Sequence, residues 1–160
     1  MKKRKRISSL LLAVMLMTAL TLLPAHAEPA FRLNAYEETL FRLVNEDRAR
    51  YGLHPLTLDY ELCEIARIKA QDMLSNGYFA HKSPTYGNMR TMLKSFGVNY
   101  RGATENIARS RSIYHAEAAF LSSSTGHRQA LLGSSWTNVG IGVAVTPQGF
   151  VYVSQVFVRY

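Results

Sequence analysis

The chain has 160 residues, 48% of them hydrophobic, one cysteine and a formal net charge of +8. A single cysteine excludes an internal disulfide framework. Five of the nineteen Lys/Arg residues precede residue 7, so residues 28–160 carry fourteen Lys/Arg against eleven Asp/Glu, a net +3 that gives no argument for nucleic-acid binding.

Lys2 to Arg6 make a basic start, Leu10 to Leu23 an almost wholly apolar run, and Ala25-His26-Ala27 a small-x-small site. That pattern predicts a secretory signal peptide cleaved before Glu28. The apolar run is short for the ~20 residues of a membrane-spanning helix. The chain therefore divides into a signal peptide (1–27), a short lead (28–35) and one domain (36–160). Removing 27 of 160 residues leaves 133, enough to bury about 68% of the unfolded surface.

Asn34 followed by Glu37 predicts a helix start with an acid at the third position, and Tyr36, Leu40, Leu43 and Val44 then recur at helical spacing until Gly52. His54 to Leu58 reads as a connector. Asp59 caps a second helix whose face is Leu62, Ala66, Ala70 and Met73, with Gly77 ending it. The small Ala residues on that face allow another element to approach closely. Cys63 lies inside this pattern and reads as a structural thiol. A third helix runs through Met89, Met92, Leu93 and Phe96 to Gly97. Residues 98–111 read as irregular. Ser112 caps a helix through Ala116, Ala119 and Phe120, and a short helical turn follows over Gly126 to Leu132. The ending changes period: Val139, Ile141, Val143 and Val145 alternate, Pro147-Gln148-Gly149 turns, and Phe150 to Val158 is apolar on both faces. That is a hairpin placed centrally in a sheet covered on each side.

Three stretches carry chemistry. In YFAHKSP, Tyr78 to Pro84, the Ser83-Pro84 pair forbids a helix and holds His81 on a rigid extended segment. TENIA, Thr104 to Ala108, holds Glu105. TGHRQALL, Thr125 to Leu132, holds His127. Arg128 is a candidate anion anchor or salt-bridge partner, and Asn106 reads as a backbone tie. His54 and His115 fit no constellation. Ser83, Ser123 and Ser124 stand near the histidines in sequence, but none sits in a nucleophile turn of the G-x-S-x-G kind.

With LVNEDRARYGLHPL, ARIKAQDM, YFAHKSP, TENIA, TGHR and VGIGV followed by YVSQVF in this order, residues 36–160 resemble the CAP superfamily of cysteine-rich secretory, antigen-five and pathogenesis-related class 1 proteins, in its cysteine-poor bacterial (SCP-like) branch. The resemblance implies an α+β fold, a three-layer α-β-α sandwich with the C-terminal antiparallel hairpin in its central sheet. It also implies a cleft formed by His81, Glu105 and His127, which Ser83, Ser124 and Arg128 would border. Ser124 stands where animal members carry a second Glu, and Leu121 where they carry Trp. Thr104 replaces a usual Gly, and Ala130 an Asn.

Two imidazoles and a carboxylate are a reasonable Zn²⁺ shell with a place left for water, made weak here by Ser124. The same groups could move protons, or cross-brace two loops. The resulting expectation is a secreted or wall-associated monomer binding a small ligand, lipid or cell-envelope component, with no nucleic acid and no transmembrane segment after signal cleavage. The alternatives are an extracellular (metallo)hydrolase of peptide or envelope material, for which no nucleophile is recognisable, and a structural envelope or spore-coat component.

Overall fold

The computed structural model describes residues 31–160. The expected signal peptide and the first residues of the lead fall outside the described residues.

Local signals start the helices. Asn34 accepts from the backbone N–H groups of Tyr36 and Glu37, and the Glu37 carboxylate accepts from Asn34 N–H, closing a capping box before α1, Ala35–Arg50. Asp59 accepts from Leu62 N–H at the start of α2, Tyr60–Ser75. Asn88 caps α3, Met89–Ser95, and Ser112 caps α4, Ile113–Ser122, while α5 is the short Gly126–Leu131. Gly77 and Gly97 follow α2 and α3 at φ 65° and 78°, where a Cβ would be strained.

The sheet has four strands: β1, Thr57–Leu58; β2, Gly102–Ser110; β3, Asn138–Val145; and β4, Val151–Arg159. Their spatial order is β1-β3-β4-β2. The β3–β4 hairpin is antiparallel and central, as its alternation predicts, and only β1–β3 is parallel. Two sequence expectations need correction. The connector His54–Leu58 contains β1. The stretch 98–111, read as irregular, contains the nine-residue β2, which pairs along β4 from Gly102↔Arg159 to Ser110↔Val151. Thr104, Glu105 and Asn106 hide the alternation, because both faces of this strand carry polar groups put to use inside the protein.

The register sorts the side chains onto two faces. Val139, Ile141, Val143, Val151, Val153 and Phe157 pack with Leu40 and Val44 of α1, Phe120 of α4 and Leu131 of α5. Val156 and Val158 pack under Leu62, Ile65 and Ala66 of α2, together with Met92 and Leu93 of α3. This is the expected α-β-α sandwich. On the α2 face β3 presents Gly140 and Gly142, where an added Cβ would come within 2.3 Å of Leu62 C and 2.0 Å of Ala66 C. The absence of side chains there lets α2 lie directly on the strand.

β1 pairs with only two residues of β3. Beyond it, Ile141 N–H donates to Cys63 Sγ (3.3 Å) and Val143 N–H donates to Glu37 Oε1 (3.2 Å). Buried backbone donors of this kind are costly when left unmade, so α1 and α2 complete the edge that β1 leaves open. Glu37, fully buried, also accepts from both Nε and Nη2 of Arg67.

Candidate functional site

Glu105 and Asn106 are neighbours on β2, and the pleat turns their side chains to opposite faces. Glu105 shares its face with Ile107 and, across β4, with Ser154 and Val156. This is the α2 side. Asn106 is turned to the α4–α5 side, pairs across β4 with Gln155, and donates Nδ2 to the His127 carbonyl (3.0 Å). One residue of register thus decides which groups meet.

On the α2 side the structure brings His81 and Glu105 together. His81 Nδ1 lies 2.9 Å from Glu105 Oε2, and Ser154 Oγ donates to Glu105 Oε1 at 3.1 Å. The Glu105 side chain is 4% exposed and the His81 side chain 57% exposed. A carboxylate accepts only, so Nδ1 is the donor to Glu105, and among the described residues Nε2 has no hydrogen-bond partner. The buried acid therefore fixes both the tautomer and the orientation of an exposed imidazole. His81 and Glu105 line a cleft of about 480 Å³ with Asn88, Met89, Arg90, Ala103 and Thr104.

The His81 segment is held from below by a polar network on α2. Lys69, fully buried, donates Nζ to Ala80 O (2.7 Å) and to Tyr78 Oη (3.1 Å). Burial pushes the Lys69 ammonium below its ordinary value, with Glu105 and Asp72 acting in the other direction. Asp72 receives Ser83 Oγ (2.7 Å), Thr85 Oγ1 (3.1 Å), Asn76 Nδ2 (2.7 Å) and the Tyr78 hydroxyl. Burial works to raise this carboxyl, but the four donors outweigh it and hold it below the usual range. Tyr78 is pushed up to about 12, by burial and then by its bond to Asp72. Ser83 and Gly87 close the segment with paired backbone bonds of 2.7 and 3.1 Å.

Other sequence candidates take different places. Ser83 is buried rather than facing a ligand: its hydroxyl donates to Asp72 and accepts from Thr85 N–H and Tyr86 N–H. The His127 ring packs on Phe120 with centroids 5.5 Å apart, and its Nδ1 lies 3.3 Å from Ser123 Oγ. Among the described residues no hydrogen bond or ring contact joins His127 to His81 or Glu105. Ser124 is exposed between α4 and α5. Arg128 donates to Leu121 O (3.2 Å) and lies over the Tyr51 ring at 4.9 Å; among the described residues it has no salt-bridge partner. His115 meets Ser112, and exposed His54 lends its carbonyl to Arg48.

The expected zinc ligands are His81, Glu105 and His127. Glu105 occupies His81 Nδ1, and among the described residues no group of three or more His, Cys, Asp or Glu side chains could hold an ion. Cys63 is fully buried, and burial pushes its thiol up to about 12, so it supplies no nucleophile at neutral pH.

Sequence reasoning missed Lys69, Asp72, Tyr78 and Ser154. The available signal was on α2. Lys69 and Asp72 interrupt the buried stripe of Ala66, Ala70 and Met73, and a polar residue inside a packed helix face asks for an internal partner.

A family model described as "CAP: Cysteine-rich secretory protein family" matches residues 41–157. The uncharacterized protein YkwD of Bacillus subtilis is 41% identical over 110 residues, covering 69% of this chain and 43% of YkwD. The crystal structure of an extracellular protein containing a SCP domain from Bacillus anthracis is similar with a TM-score of 0.72 and 32% identity, over 78% of this chain and 40% of that one. An outer surface protein of Borrelia burgdorferi has a TM-score of 0.70 over 76% of this chain and 90% of its own, and at 18% identity this likeness concerns the fold alone. The chain spans less than half the length of the two Bacillus proteins.

Proposed function

The chain belongs to the cysteine-rich secretory protein (CAP) family, and on that footing we propose that it is an extracellular binding domain whose ligand contacts the exposed His81 imidazole in the cleft between the 81–90 segment and β2. The observation that carries this reading is the 2.9 Å bond from His81 Nδ1 to a Glu105 carboxylate that is itself almost wholly buried. Burying a carboxylate is costly unless it is well satisfied. Here the acid is spent on holding one exposed ring in one tautomer, on a loop anchored by Lys69 and Asp72. Such preorganisation is characteristic of a site. Export is supported by the N-terminal basic and apolar pattern and by the extracellular description of the Bacillus anthracis relative.

Amide-resonance mapping with soluble envelope fragments and short lipids tests this. A ligand should shift the resonances of His81, Met89, Ala103 and Thr104, and His81→Ala should remove the response. Shifts confined to other faces of the protein would refute the reading.

A second reading, hydrolysis, is favoured by His81 Nε2, which has no hydrogen-bond partner among the described residues and in the neutral ring could take a proton from water or a substrate hydroxyl as a general base. Turnover of peptide or murein substrates abolished by His81→Ala would establish it.

A further inference from the structure

We propose that the His81 cleft is one end of a longer cationic groove over α3, and that the groove binds an extended sugar or polyol chain bearing phosphate or carboxylate groups. This names a ligand class for the site proposed above and rests on that reading for its His81 end.

The first observation is charge segregation. From Met73 to Thr104 there is no Asp or Glu, and Lys82, Arg90, Lys94 and Arg101 all fall in this stretch. The remainder of residues 28–160 holds ten Lys/Arg and eleven Asp/Glu, so this one segment accounts for the whole positive excess. The second is that the charges are uncommitted. Among the described residues none of these four cations has a carboxylate within ion-pair distance.

The third is shape. A second groove of about 560 Å³ adjoins the His81 cleft and shares Asn88 and Arg90 with it. Arg90 and Lys94, four apart on α3, stand on the same side of the helix and line this second groove with Thr91, Asn99 and Tyr100. The combined surface thus runs from the imidazole past two cations to a tyrosine.

The lining chemistry selects among polyanions. Asn99 and Thr104 can both donate and accept, which suits hydroxyl groups, while Asn88, whose Oδ1 accepts from Thr91 N–H and Oγ1–H, keeps its amide N–H to donate and Thr91 keeps its hydroxyl oxygen to accept. Tyr100 offers a ring edge or face, and Arg90 and Lys94 meet the anions. The apolar contribution is limited to Met89, Val98 and Ala103, without the deep apolar subsites by which peptide side chains are read.

Binding of poly(glycerol phosphate), polygalacturonate, neutral dextran and poly-L-glutamate to the full mature chain tests the proposal, using wild type, the exposed pair Arg90→Ala/Lys94→Ala, and His81→Ala. At least one of the two hydroxylated polyanions should bind, weaken as salt rises from about 50 to about 500 mM, and lose about tenfold in affinity in the double variant. The phosphate and carboxylate arms identify the anion. Affinity unchanged in the double variant, or poly-L-glutamate bound as tightly as either sugar or polyol chain, overturns the proposal. Dextran binding as well as the polyanions overturns it also. His81→Ala separates the two readings: full polyanion affinity there with loss in the double variant keeps the groove and removes the His81 ligand role.

Discussion

Gly142 of β3 lies directly beneath Ala66 of α2: a Cβ on this glycine would stand 2.0 Å from the Ala66 carbonyl carbon. The obstructing atoms are backbone, so no rotamer change relieves the clash, and α2 must lift from the sheet. Gly142→Ala should destabilise the domain by about 3 kcal/mol or more, read as a lower denaturation midpoint in urea. Because α2 also carries Lys69 and Asp72, the same variant should loosen the His81 segment, seen as faster amide exchange at residues 80–87.

Glu37 joins α1, α2 and β3 through Arg67, Asn34 N–H and Val143 N–H. Its removal strands one guanidinium and two backbone donors. Glu37→Ala should cost about 3 kcal/mol, with Glu37→Gln losing less because the amide oxygen still accepts. Equal stability of wild type and Glu37→Ala by equilibrium unfolding would contradict this account of the sheet edge.

Glu117 of α4 is buried on the opposite face from Glu105 and accepts from Gln155 Nε2 at 2.5 Å. Burial raises its carboxyl from 4.5 to about 8, with Gln155 acting against the shift. The folded state then holds a proton that the unfolded state releases, so this group's contribution to stability is full below about pH 4.5 and is lost as pH rises to about 8. Glu117→Gln, which mimics the protonated form, should gain on wild type as pH rises through that window, by about 2–4 kcal/mol at its upper end. Parallel stability–pH curves for the two proteins would argue against a protonated Glu117.

Glu105→Ala should release His81 Nδ1. Nitrogen NMR of the imidazole should show the Nδ1–H tautomer in wild type and a shift towards Nε2–H in the variant. The fold should persist, because Lys69 and Asp72 hold the loop independently. An unchanged tautomer in Glu105→Ala would deny the carboxylate its orienting role.

Cys63 should resist thiol reagents until the protein unfolds, since it is buried and its thiol is pushed up to about 12. Cys63→Ser keeps an acceptor for Ile141 N–H and should cost about 1 kcal/mol; Cys63→Ala leaves that donor unmade and should cost more. Ligand affinity should be the same in both.

The sequence by itself determined the parts of this protein that depend on neighbours a few positions away. Asn34 with Glu37, Asp59 and Ser112 started their helices where capping chemistry requires, Gly77 and Gly97 ended theirs, and alternation announced the β3–β4 hairpin. Ser83-Pro84 kept His81 out of a helix, and the joint order of short motifs pointed to the family. Tertiary structure decided the rest. Glu105 is on a strand only because β4 offers β2 nine partners about fifty residues away in sequence, and no local signal records that pairing. Once the strand exists, its period of two sends the Glu105 side chain to His81 and the Asn106 side chain to the backbone carbonyl of His127. Lys69 and Asp72 read as blemishes on a helix face until the loop folded over them supplied Ala80, Ser83 and Thr85 as partners. Capping and periodicity act through one or two turns of chain, whereas the face a side chain occupies is set by register between distant segments.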